Sequence, residues 1–259
     1  MSDGGLKTFD DTPKKEQEIE KKFFEDLIVL GNAVPDEISD NRITVCTVAY
    51  SKEYGLIRIY PVPTDSPMQR WSVVSIPLER NPKDNRKESW KIQGSKDEWS
   101  NISKKITWKR KLSREEWVGL IEQLKKEFGY GCIEELNDKK LSLGIIIPKI
   151  LDKTIEKRKE QDTSIQRTLI NQDLFMTIKN YPVRPKVKYQ CPKCQKDSHN
   201  QGVLEWGVYE FLRTSPDKMD GVWDNLRIND PAYDKSFLVG NMNLYRNSFM
   251  IISIFRYKT

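Results

Sequence analysis

The residue spacing that most clearly suggests chemistry lies late in the chain, where Cys191-Pro192-Lys193-Cys194 is followed by His199. A Cys-x2-Cys turn brings two thiolates to one side of a tight loop, where a single zinc ion can bind both. The imidazole of His199 follows closely enough to supply a third ligand. Two thiolates and an imidazole suit zinc, which accepts soft and borderline ligands. We therefore predict a zinc site formed by Cys191, Cys194 and His199.

The fourth position of this predicted site is not identified by spacing. The candidates are Cys46 and Cys132, which are distant in sequence, Asp197 and Glu205, which are near, and a water molecule. Four protein ligands would make the site structural, whereas an open position could activate water. Structural zinc is the more frequent outcome for a Cys-Pro-x-Cys knuckle. The alternative is an open site that includes Glu205, in a metal-dependent enzyme acting on nucleic acid or nucleotides.

A second candidate site is the basic stretch from Arg80 to Lys111, in which tryptophans are interleaved with cations. Such cations can neutralise phosphates, and exposed indole rings can stack on bases. The residues predicted to bind nucleic acid are Arg80, Lys83, Arg86, Lys87, Trp90, Lys91, Lys109, Arg110 and Lys111. The alternative is a solvated basic loop with buried tryptophans. These residues do not distinguish DNA from RNA.

Whether the protein is an enzyme stays open at this stage. Asp84, Glu88 and Lys91 invite comparison with a metal-dependent nuclease, but the usual Glu-x-Lys spacing is missing. A local salt-bridge cluster of Asp84, Arg86 and Glu88 is therefore the favoured interpretation. His199 is the only histidine, which disfavours a serine or cysteine hydrolase, and the chain has no phosphate-cradling glycine motif.

The composition describes a folded protein with a highly charged surface. Charged residues make up 32% of the 259 residues and hydrophobic ones only 37%, but seven Trp, ten Tyr and nine Phe can bury large apolar areas. The net charge of +6 is compatible with a polyanionic partner. Four cysteines, two of them in metal-type spacing, favour a reducing compartment. With neither a signal-peptide pattern at Met1 nor an apolar run long enough to span a membrane, we expect a cytoplasmic protein.

The elements that would hold these residues can be predicted from periodicity. Residues 1–12 are polar and expected to be disordered. A helix is predicted from Pro13, because Ile19, Phe23, Phe24 and Leu27 recur at helical spacing. Residues 43–92 are rich in β-branched residues, broken by polar turns, and predict strands that curl into a small barrel.

A second helix is predicted at Ser113, which forms a capping box with Glu116. Residues 141–148 read as a buried strand, and later apolar runs at 237–240 and 249–255 read as two more. Residues 204–212 are either helix or strand. The predicted organisation is a disordered tail (1–12), a β-rich half with helices (13–151), a charged linker or helix (152–172) and a Cys/His-containing half (173–259). The fold class is α+β, with an N-terminal small barrel or curled sheet and flanking helices, followed by a zinc-knuckle-containing α+β half.

Several sequence blocks occur together in a recognisable order. The blocks are Val45-Cys46-Thr47, Gly55-Leu56-Ile57-Arg58-Ile59-Tyr60-Pro61, Trp71, residues 81–89, Leu141–Pro148, the Cys/His segment with Trp206, and Phe237-Leu238-Val239-Gly240. As a set they resemble a family of uncharacterised prokaryotic proteins, and the resemblance extends from about residue 43 to the end. It implies one integrated unit and carries no established activity. Relatives often have Asp-Trp-Glu where this chain has Glu205-Trp206-Gly207, which counts against a catalytic role for this segment.

These observations predict a zinc-stabilised, nucleic-acid-binding protein. The resemblance adds prokaryotic genome defence or mobile-element biology as the expected setting. An adaptor that meets a protein partner through its aromatic surface is a further alternative.

Overall fold

The computed structural model describes residues 19–38, 42–157 and 181–259. The predicted disordered tail lies outside these ranges, as does the part of the predicted linker from 158 to 172. None of the helices in the described ranges has the length and apolar character that crossing a membrane requires.

The first half forms a closed five-stranded barrel, which confirms the predicted barrel. The strands of this half are β1 (Lys21–Asn32), β2 (Asp36–Ile38), β3 (Arg42–Ser51), β4 (Gly55–Pro63), β5 (Ser72–Arg80), β6 (Ser89–Ile92) and β7 (Thr107–Lys111). Around the barrel the order is β1-β3-β4-β6-β5, and β5 pairs back onto β1. The β4–β6 pair is parallel and the others are antiparallel. β2 adds to the edge of β3, and β7 pairs with β5 outside the barrel.

The helix predicted from Pro13 is wrong in the described part, where residues from Lys21 onward form β1. Phe24 and Leu27 both point into the barrel core, three residues apart. Their pairing with β5 shifts between these two positions, as a β-bulge does. A bulge inserts an extra residue, so inward-facing side chains recur at a helix-like interval. Tertiary pairing then decides the conformation.

Alternating apolar residues of the strands fill the barrel. Ile59, Val74 and Ile76 are fully buried, and the indole of Trp90 on β6 is also fully buried among them. After β6, a 3-10 segment (Lys96–Lys105) contributes Ile102 to the same core. Helix α1 (Arg114–Phe128) then begins at the predicted capping box, where Ser113 Oγ accepts from Glu116 N at 3.3 Å.

The described residues of the second half form two sheets and three short α-helices. Its elements are β8 (Gly129–Tyr130), α2 (Ile133–Asp138), β9 (Leu143–Ile146), β10 (Lys149–Lys157), β11 (Val183–Gln190), β12 (His199–Gly202), α3 (Trp206–Thr214), α4 (Gly221–Asn225), β13 (Tyr233–Asn241) and β14 (Phe249–Lys258). One sheet has the order β14-β13-β9-β8 and the other β10-β11-β12. The three predicted apolar strands are confirmed as β9, β13 and β14, and the segment 204–212 is mainly helix α3.

The four-stranded sheet connects the barrel to the rest of the protein. Ile145 and Leu238 on one face pack with α1 and with outward-facing barrel residues. Ile146 and Phe237 on the other face pack with the three-stranded sheet and helices α2 to α4. Because the sheet is buried on both faces, its strands are nearly continuous apolar runs. Strand β10 covers residues 152–157, so the segment predicted as linker or helix begins inside a strand.

Candidate metal centre and basic surface

Four metal-ligating side chains converge between α2 and the turn that joins β11 to β12. They are Cys132, Cys191, Cys194 and His199, and their ligand atoms all lie within 4.8 Å of one another. Within the group, Cys194 Sγ lies 3.1 Å from His199 Nε2. Sequence spacing therefore predicted three members of a group that could bind a metal ion, and the structure selects Cys132 from the candidates for the fourth position.

Three members of this group, the Cys3His cluster, lie at the ends of secondary-structure elements, and Cys194 lies in the turn between β11 and β12. Cys191 follows the last residue of β11, and His199 is the first residue of β12. Tyr189 on β11 is opposite His199 in the ladder, and the two rings lie 5.7 Å apart. Cys132 is the N-cap of α2, where its Sγ accepts from Glu134 N at 3.3 Å.

Backbone contacts dock the turn against the start of α2. Lys193 N donates to Gly131 O at 3.0 Å. The Ile133 N–H donates to the Cys191 sulfur, an interaction that favours a thiolate there. A Cβ on Gly131 would lie 3.0 Å from the Lys193 side chain, so the turn and the α2 entry approach too closely for a larger residue without a shift. These contacts bring Cys132 to the other three donors.

Without a bound cation, burial is the main influence on the pKa values of Cys132, Cys191 and His199. It raises the pKa of Cys191 to about 12 and also raises the pKa of Cys132. It lowers the pKa of His199, so the neutral imidazole, which is the ligating form, is favoured. Metal binding would have to displace protons from the buried thiols, and a divalent cation could provide the compensating charge.

Glu205 is not part of the cluster, which corrects its proposed place as fourth ligand. Its carboxylate accepts from Arg70 Nη1 at 3.0 Å and from Ile254 N at 2.6 Å. The pair ties the start of α3 to β14 and to the turn before β5. Cys46, the other distant cysteine, is 3.5 Å from Arg58 Nη1, whose guanidinium also donates to Ser142 O outside the barrel core. In the sequence, Cys132 was a candidate only because it is one of four cysteines, since no second metal-type spacing includes it.

The residues predicted to bind nucleic acid do not form one continuous exposed surface. Trp90 is fully buried, so it cannot stack on a base. Arg80 lies over the Trp90 ring at 3.9 Å and pairs with Glu20, and Lys91 pairs with Glu79 at 2.6 Å. The burial of Trp90 corrects the sequence prediction for that residue, whereas Arg80 and Lys91 are partly exposed and ion-paired on the barrel wall.

Arg86 is a structural residue for the same reason. Its side chain is buried, with Nε 2.9 Å from each carboxylate oxygen of Asp84 and Nη1 2.9 Å from Asn241 O. Asp84 also accepts from Ser89 Oγ at 2.8 Å. The expected Asp84–Arg86 pair is therefore present, and it joins the loop before β6 to the end of β13. A buried, doubly paired carboxylate of this kind does not resemble an open nuclease site.

The predicted cations that stay exposed are Lys83 and Lys87 in this loop, and Lys109, Arg110 and Lys111 on β7. All five residues of β7 are exposed, including Trp108 at 53%. Lys109 pairs with Asp26 and Arg110 with Glu116, and all four of these side chains are substantially exposed.

Comparison with known families adds a match over the barrel. Residues 24–119 match the model of a domain of unknown function (DUF8758). The match runs from β1 to the first turns of α1 and includes none of the four cluster residues. It is consistent with the resemblance to an uncharacterised family and assigns no activity. No curated protein matches the chain.

Proposed function

We propose that this chain is a zinc-stabilised nucleic-acid-binding protein. For the zinc, the supporting observation is the set of four donors, because three cysteines and one histidine are a recurrent structural zinc set. Tetrahedral zinc with Zn–S bonds of about 2.3 Å places its ligand atoms about 3.8 Å apart. The ligand atoms, which lie within 4.8 Å of one another, need only small shifts to reach that geometry.

The same donor set favours a structural role over catalysis. Four protein ligands complete the tetrahedron and leave no position for an activated water. The ion would link the β11–β12 turn to the start of α2, two segments that are far apart in sequence. An enzyme built on an open metal site, the alternative, gains no support from this arrangement.

Metal analysis of the purified full-length chain tests this part. We expect one zinc per chain, and a lower melting temperature after chelation that recovers when zinc is restored. A metal-free protein with an unchanged melting temperature would contradict it.

The nucleic-acid part of the proposal is supported by strand β7. Trp108 offers a half-exposed indole, and Lys109, Arg110 and Lys111 follow it directly on a strand that is exposed along its whole length. Exposed ion pairs contribute little stability, so phosphates can replace the carboxylates that pair with Lys109 and Arg110. Stacking on an aromatic ring beside a cationic path is the usual mode for single strands.

The barrel architecture also favours β7, because the face that such barrels usually present to oligonucleotides is buried here. Its strand order with one parallel pair is the arrangement of the OB-fold, which commonly binds oligonucleotides over its second and third strands. Those strands are β3 and β4 here, and their outward residues Val48, Tyr50 and Leu56 are buried with β9, β13 and α1. Ligands would therefore have to use another side, and β7 is exposed beside β5.

A salt titration of oligonucleotide binding, followed by fluorescence anisotropy, tests this part. Affinity that falls steeply with salt for a single strand is the expected result. Failure to bind at low salt, or an affinity that does not depend on salt, would reject it. Co-purification of a stoichiometric protein partner with no oligonucleotide affinity would favour the adaptor alternative. On the resemblance alone, we extend the proposal to prokaryotic genome defence or mobile-element biology in the cytoplasm.

A further inference from the structure

A cavity of about 490 Å³ opens where α1, the turn before β5, the segment after α4 and the end of β14 meet. Five cations, four aromatic residues and one asparagine line it, and no carboxylate does. Its volume falls in the range of small-molecule sites. It lies outside the Cys3His cluster, and none of its residues was singled out by sequence spacing.

Most cations of this cavity lack an acidic partner. Arg70 pairs with Glu205 at 3.0 Å. Within the described ranges, no carboxylate lies in ion-pair distance of the other four, which are Arg114, Arg227, Arg256 and Lys258. Several like charges gathered around one concave space repel each other, and a bound anion would relieve that repulsion.

An aromatic platform stands beside these cations. The rings of Trp71 and Trp117 are stacked, with centroids 5.5 Å apart and planes 12° from parallel. The Arg70 guanidinium lies over the Trp71 ring at 5.0 Å, which holds it in place. Trp117 is half-buried and contributes to the wall of the cavity. Guanidinium groups bind phosphate oxygens in a fork geometry, and an indole face stacks on a planar base.

We propose that this cavity binds a nucleoside phosphate, with the phosphate held by Arg114, Arg227 and Arg256 and the base against Trp117. The ligand could be a free nucleotide or the terminal nucleotide of a strand. A strand terminus could reach the cavity from the exposed strand β7, because β7 ends at Lys111 and α1 begins at Arg114 shortly after it. The proposal rests on the cavity alone and holds whether or not β7 binds nucleic acid.

Calorimetry on the full-length chain tests the proposal with three probes: nucleoside 5′-monophosphates of all four bases, the matching nucleosides, and inorganic phosphate. We expect at least one nucleotide to bind ten times or more tightly than its nucleoside and than inorganic phosphate. Equal affinity for nucleotide and inorganic phosphate, or no heat from any nucleotide at millimolar concentration, would overturn it.

Two double variants locate the site. Arg114→Gln with Arg227→Gln removes two exposed cavity cations and should weaken nucleotide binding at least tenfold. Lys52→Gln with Lys188→Gln removes the same charge at exposed positions outside the cavity and should change the affinity less than twofold. Melting temperatures check that both variants stay folded. Equal effects of the two double variants would overturn the assignment to this cavity.

A pair of oligonucleotides distinguishes a free nucleotide from the terminal nucleotide of a strand as the ligand. If the ligand is a strand terminus, an oligonucleotide with a 5′-phosphate should bind more tightly than its 5′-hydroxyl form, and Arg114→Gln with Arg227→Gln should abolish the difference. If the ligand is free, the two oligonucleotides should bind equally while the nucleotide still binds. Either result supports a nucleoside-phosphate site. Failure of the nucleotides and of both oligonucleotides to bind would contradict it.

Discussion

The thiol of Cys132, at the start of α2, lies within 4.8 Å of the thiol of Cys191, at the end of β11. These two residues come from segments that are far apart in sequence. They meet because the Lys193 N–H donates to Gly131 O and the Ile133 N–H donates to the Cys191 sulfur. The contact turns a three-residue pattern into a group of four side chains that could bind a metal ion.

Cys132→Ser is expected to reduce zinc affinity by at least a hundredfold, because loss of a ligand should cost more than the 10- to 100-fold typical of outer-shell changes. A chromogenic chelator competition measures the affinity. Cys46→Ser is the matched control, since Cys46 is a free cysteine outside the cluster. A zinc affinity for Cys132→Ser equal to that of Cys46→Ser would show that Cys132 is not a ligand.

Glu205→Gln should lower the free energy of unfolding by about 3 kcal/mol, because it leaves Arg70 without its mostly buried counter-charge. Zinc content should stay at the wild-type value. Urea denaturation and metal analysis on the same preparation test both statements. Zinc loss without a change in stability would return Glu205 to the metal site.

Asp84 should make stability fall at low pH. Burial alone would raise its pKa, but hydrogen bonds from Arg86 and Ser89 outweigh burial and hold the pKa below its usual value. A depressed folded-state pKa stabilises the protein above about pH 4 and loses that contribution as the pH falls through the folded-state value. Asp84→Asn should therefore cost about 3 kcal/mol near neutral pH, and less below pH 4.

Urea denaturation at several pH values between 3 and 7 measures this difference. Asp26→Asn, which changes an exposed carboxylate, is the control and should show no comparable pH-dependent loss. A pH-independent difference between Asp84→Asn and wild type would contradict the assignment.

Replacing Lys109, Arg110 and Lys111 by glutamine should weaken single-strand binding and flatten its salt dependence. Each lost phosphate contact should reduce the slope of log affinity against log salt by about 0.7. Anisotropy titrations at several salt concentrations give both numbers. The control replaces Lys52, Lys126 and Lys188, three exposed lysines away from β7, by glutamine. An identical loss in both triple variants would indicate a nonspecific charge effect.

Local sequence rules succeeded where the local signal was strong. The capping box at Ser113 and Glu116 marks the start of α1, and the apolar run from Phe249 lies in β14. Both predictions depend only on residues within one element, namely the capping residues of α1 and the apolar residues of β14. They failed at Phe24 and Leu27, because a bulge on β1 gives a strand the interval of a helix.

The charge pattern located the cations in the sequence but did not predict which of them form ion pairs in the fold. Arg80, Arg86 and Lys91 are cations in the sequence, but the structure pairs them with Glu20, Asp84 and Glu79. The sequence cannot show this, since the partners are chosen by strand register and loop docking. The stacking of Trp71 on Trp117 was invisible for the same reason.

By itself, the sequence determined the β-rich barrel, the first α-helix and three of the four cluster donors, because hydrophobic alternation, capping and Cys-x2-Cys spacing act over a few residues. Tertiary structure decided the rest: that Cys132 and not Glu205 completes the cluster, that Trp90 is buried, and that five cations surround one cavity. Those outcomes depend on which distant segments pack together, and burial and hydrogen bonding across the whole fold select that packing.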